Sequence, residues 1–194
     1  MGMKAVQLIL VADSTADGTA LTNTVTGASL IEPNARQLIP GGFLGRIGQK
    51  LKLEATGRIS TVTSAPGTFT FEFRLGPTAN IIAATSPAFA LNIVAKTNVT
   101  WRLVWDMEVR AVGITTSANL IHTGEWISEA NVGAPVPATG GATVGMIPAS
   151  APAVGTGFDC TVANTSDFQG KWGTANASNS IQLHTYALWA LNMN

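Results

Sequence analysis

Three segments of this chain alternate apolar and polar side chains with a period of two, and few folds tolerate that pattern. Lys50-Leu51-Lys52-Leu53-Glu54-Ala55-Thr56-Gly57-Arg58-Ile59-Ser60 alternates almost without a fault, and Phe69-Thr70-Phe71-Glu72-Phe73-Arg74-Leu75 does so throughout. Trp101 to Arg110 slips only at Val104. Successive side chains of a strand point to opposite faces, so each segment has one apolar face and one wetted face. Antiparallel sheets that cover a shared core read this way. Weaker strands are expected at Val6–Val11, Ser29–Ile31, Ala88–Val94, Asn119–Trp126, Phe158–Val162 and Ile181–Leu191. Gly and Pro punctuate them, and Ser64 to Thr68 reads as a hairpin turn between two alternating strands. No stretch carries a capped helical stripe. The expectation is an all-β chain, an antiparallel β-sandwich of jelly-roll type, forming a single domain over residues 1–194.

Charge is scarce. Charged residues make up 11% of the chain and hydrophobic residues 46%, against roughly 25% charged in an ordinary soluble domain. That composition suits broad contacts with neighbouring subunits, or a β protein solvated by hydroxyls. Eleven basic residues balance eleven acidic ones, and no basic stripe offers itself to nucleic acid. No apolar run approaches the roughly 20 residues of a membrane helix, so neither nucleic acid nor membrane is expected as a partner. The apolar start, Ala5 to Ala12, contains Gln7 and is followed by Asp13 and Asp17, which suits a first strand better than a signal peptide.

The segment at residues 130–158 carries no charge and holds Pro135, Pro137, Pro148 and Pro152. A disordered segment is normally richer in charge. An extended Ala/Gly/Pro-rich arm or loop that packs on a neighbour is expected, with Val132, Pro135, Val136, Val144, Met146, Ile147 and Pro148 as its contact residues. A plain surface loop, or strands hidden from periodicity, is the alternative.

Catalytic readings fail one by one. Asp106 and Glu108 share a face, but Arg102 and Arg110 flank them there, so the four read as a ladder of compensating charges. His122 and His184 have no further ligand-type residue at metal spacing. The glycine-rich Gly41 to Gly48 precedes a strand, whereas a phosphate loop must open a helix. Cys160 falls on an apolar side and reads as a small buried hydrophobe. Trp101 and Trp105 fall on the core face, which leaves Trp172 as the best candidate for an exposed aromatic contact. No enzyme activity and no metal or other cofactor is expected.

The phrases Leu21-Thr22-Asn23-Thr24, Ser29-Leu30-Ile31, Leu38 to Leu44, Gly48 to Ser60 and Phe71 to Gly76, with Val99 to Leu103 and Val109 to Gly113, resemble small structural proteins from the virion genes of tailed bacteriophages. The resemblance covers about the first 125 residues and brings no catalytic or ligand residues with it. It implies a jelly-roll protein of the virion, often trimeric, that decorates or cements the capsid or builds a fibre or spike. A capsid cement bound to the major capsid protein and to its own copies is the first expectation. A tail-fibre or receptor-binding module recognising host surface glycan is the second. A glycan-active enzyme is disfavoured by the missing catalytic apparatus, and fibre chains usually add a coiled coil or repeats.

Overall fold

A computed structural model describes residues 6–132, 143–149 and 154–193. In chain order the strands are β1 (Val6–Asp13), β2 (Leu21–Thr22), β3 (Ala28–Ser29), β4 (Leu38–Ile39), β5 (Lys50–Thr61), β6 (Thr68–Leu75) and β7 (Ile81–Thr85). Then follow β8 (Phe89–Ala90), β9 (Lys96–Ala111), β10 (Asn119–Ser128), β11 (Thr143–Ile147), β12 (Asn164–Thr165), β13 (Asp167–Trp172) and β14 (Ser180–Met193). One 3₁₀ turn, Pro33–Ala35, is the helical element among the described residues. The fold is all-β, and its antiparallel sheets form a sandwich.

The first sheet runs β1-β14-β5-β9-β10-β11, with β2 also on β14; the second runs β3-β13-β6-β7, with β8 also on β6. The short pair β12-β4 stands apart. Alternation in the sequence sets the inner faces directly. Leu51, Leu53, Ala55 and Ile59 of β5 are buried, as are Phe69, Phe71, Phe73 and Leu75 of β6 and Trp101, Leu103, Trp105, Met107 and Val109 of β9. Phe71 is the hub of this core. Its ring lies 5.7 Å from Trp101 and 5.6 Å from Trp126, both on the opposite sheet, and stacks at 5.6 Å on Phe168 beside it. Burying aromatic rings of this size in edge and stacked geometry supplies much of the cohesion between the sheets.

The turn at Ser64 to Thr68 is not a hairpin. Strand β5 pairs with β14 and β9, whereas β6 pairs with β13, β7 and β8. The chain therefore arches from one sheet to the other, which lets the apolar sides of two consecutive strands face each other. Other expectations shift by register or extent. Ala88–Val94 shrinks to β8, and Phe158 makes only an isolated bridge with Ala118.

Candidate interaction surface

The charge-free segment lies partly on the body of the protein. Ala130 is fully buried, Asn131 bridges Leu91, and Val154 bridges Ile121. Between them β11 adds to β10, with Met146 opposite Glu125 and Val144 opposite Ile127. It ends the sheet, since no described strand pairs with its other side. The sequence around Pro148 hid this strand: its five residues are too few, and Gly145 interrupts the alternation.

Gly145 is what lets the edge strand settle. A Cβ there would lie 2.4 Å from the ring of Phe89, well inside contact distance, so a side chain would force either that ring or the strand to move. Thr143 fastens the start of the strand, its hydroxyl donating to the carbonyl of Asn131 at 2.5 Å. A cleft of about 300 Å³ runs beside the strand, lined by Phe89, Asn131, Val132, Gly145 and Met146 among others.

The expected contact residues divide. Val132, Val144 and Met146 expose 53%, 52% and 60% of their surface. Ile147 points the other way and is buried in the core of its own chain, so it is not available to a partner. Pro148 is half-buried. Pro135 and Val136 lie outside the described residues. The opposite edge of the same sheet mirrors this pattern, with Leu8 and Leu10 of β1 exposed. Apolar side chains on unprotected sheet edges are a template for association.

The residues weighed for chemistry fall elsewhere. Glu108 meets Lys50 at 3.5 Å and Arg110 at 3.4 Å, and Asp106 stands opposite Lys52 in register. The expected ladder of four on β9 is thus a cross-strand arrangement with β5, and Arg102 makes no ion pair in it. His122 is buried and accepts a hydrogen bond from the indole N–H of Trp105 at 3.2 Å. Burial disfavours its charged form and holds its pKa below the ordinary value. His184 pairs with Asp17 at 2.9 Å. Cys160 is buried, with the Gly113 amide donating to its sulfur at 3.2 Å. No cluster of three potential metal ligands occurs among the described residues.

Trp172 is not an exposed contact. It is buried, packs edge-on against Phe69 at 4.8 Å, and donates its N–H to the Leu21 carbonyl at 3.1 Å. Its neighbours misled: Asp167 to Trp172 alternates, but Gln169-Gly170-Lys171 reads locally as a polar loop. Trp189 is the tryptophan that turns outward, half-buried between Leu10 and Lys52.

No family model matches this chain, and no curated protein does. Among solved structures it is similar to the CBM2 module of the evolved Dit of Lactobacillus casei BL23 phage J-1. The two share 11% identity over 97% of this chain and 98% of that one, with a TM-score of 0.37. A likeness of that degree carries no argument about what this chain does.

Proposed function

We propose that this chain is a non-enzymatic structural protein of a bacteriophage particle, a decoration or cement subunit that stabilises the shell through subunit contacts. The observation that carries the reading is the open edge at β11, with Val144 and Met146 exposed beside an apolar cleft in a segment without charge. An edge left flat, short of charge and apolar invites a neighbouring chain to cover it. The phage assignment itself rests on the strand and turn phrases between Leu21 and Gly76. The nested order β1-β14-β5-β9 opposite β3-β13-β6-β7 supports its jelly-roll form, with β10 and β11 as an added flap. Copies of the chain, most simply three around a local three-fold axis, would meet through the two apolar edges.

The test is gold labelling of the particle combined with the paired substitution Val144→Lys and Met146→Lys. Label spread over the shell, with shell binding lost in the variant and its thermal unfolding unchanged, is the expected result. Label confined to the tail or its tip would instead make the chain a fibre or receptor-binding component.

A further inference from the structure

Strands β5 and β9 together carry six cationic side chains. Four of them reach a carboxylate: Lys50 to Glu108 at 3.5 Å, Lys52 to Glu54 at 2.8 Å, Lys96 to Glu129 at 3.5 Å and Arg110 to Glu108 at 3.4 Å. The other two, Arg58 and Arg102, make no ion pair among the described residues, and both line the same cleft of about 410 Å³ at one end of the sheet. Register places them as diagonal neighbours, since Arg58 stands opposite Thr100 and Arg102 opposite Thr56. Diagonal partners on one face lie within reach of a single small group held between long side chains.

The cleft is held in shape. Arg58 donates from one terminal nitrogen to the Asn98 carbonyl at 2.8 Å, and the Asn98 amide donates to the Ser60 hydroxyl at 3.0 Å. Asn98 takes a left-handed turn with φ of 50°, which aims that carbonyl at the guanidinium. A guanidinium has five N–H donors, so this bond orients Arg58 and leaves most of its fork free. Glu129, whose charge is met by Lys96, adds a carboxylate acceptor at the rim, and the exposed Thr100 adds a hydroxyl. Two guanidiniums without a carboxylate partner call for an anion, and the acceptor, hydroxyl and amide around them call for a ligand rich in hydroxyl groups.

We propose that this cleft binds an acidic saccharide, with its carboxylate or phosphate substituent held between Arg58 and Arg102 and its ring hydroxyls met by Asn98, Thr100 and Glu129. The cleft does not include Val144 or Met146, although Ile127 in its lining stands opposite Val144 of β11.

The experiment titrates the full chain with an oligogalacturonate, with a glycerol-phosphate oligomer and with a neutral gluco-oligosaccharide, followed by calorimetry. One anionic ligand binding at millimolar concentration or tighter, weakening as salt is added, supports the site, and which one binds tells carboxylate from phosphate. The double variant Arg58→Gln with Arg102→Gln changes two exposed side chains and should keep its unfolding temperature while losing affinity about tenfold or more. No binding of either anionic oligomer, equal binding of the neutral one, or binding unchanged in the double variant would overturn the proposal.

Discussion

On the outer face of the first sheet, Glu108 keeps 25% of its side chain exposed; on the outer face of the second, Glu72 keeps 1%. Both sit at polar positions of alternating strands, and both pair with two cations. Glu72 meets Arg74 at 2.6 Å and Lys171 at 2.7 Å. The difference lies in what covers them. The loop between β2 and β3 folds across the second sheet and brings Gly27 down onto Glu72, Arg74 and Gln169, while Arg36 and Ser29 close on the buried Asp167. An exposed ion pair adds little, because water competes for both charges. A covered one is costly to break, because the survivor is stranded. The wetted side of an alternating strand is therefore not always wet.

The sharpest way to break this contrast is Glu72→Ala, which should cost about 2–4 kcal/mol in urea unfolding, with Arg74 and Lys171 partly exposed and able to recover some hydration. If the cost matches that of a surface substitution, the second face is no more covered than the first. Gly27→Val comes next, since a Cβ would lie 2.9 Å from the Arg74 guanidinium and 3.0 Å from the Glu72 carboxylate. About 1–3 kcal/mol is expected from the overpacking, with the loop lifted and made sensitive to protease.

Acid should separate the faces as well. Burial pushes the Glu72 carboxyl up, but hydrogen bonds from Lys171 and Arg74 outweigh it and hold the pKa below the ordinary 4.5. Its contribution is thus complete above 4.5 and lost as pH falls through the lower folded value. Glu72→Gln should flatten that limb of the stability curve. His122, held below its ordinary 6.5 by burial, acts earlier: stability falls as pH drops below 6.5 and the unfolded chain takes up the proton first. The smallest effect is expected from Glu108→Ala, about 0.5 kcal/mol or less by the same urea measurement.

Local alternation made the faces of β5, β6 and β9 legible in the sequence, because a period of two is a property of the strand alone. It says nothing about which sheet a strand joins, and so the arch at Ser64 to Thr68 passed for a hairpin. Strand β7, Ile-Ile-Ala-Ala-Thr, does not alternate, and β13 was obscured by Gln169-Gly170-Lys171. In the candidate surface, the sequence marked Val144 and Met146 as apolar without neighbouring charge, and they are exposed. It could not place Ile147 in the core, since that depends on the pairing of β11 with β10. In the sequence Arg58 does not stand out and Arg102 reads as a rung of the charge ladder, for a similar reason: charges on strands are ordinary, and only the ion pairs made by their neighbours single these two out.

Strand β14 sits between β1 and β5, with Leu8 opposite Leu191 and Leu53 opposite Leu188. During synthesis, β1 leaves the ribosome long before the strand it needs. Throughout translation its leucines lack their place in the sheet, and sandwich closure waits for the arrival of β14. Such long-range pairing folds slowly and keeps apolar strands open to the wrong neighbour. The yield of folded protein in the cell that makes it therefore turns on how well the nascent chain is shielded until that late strand is delivered.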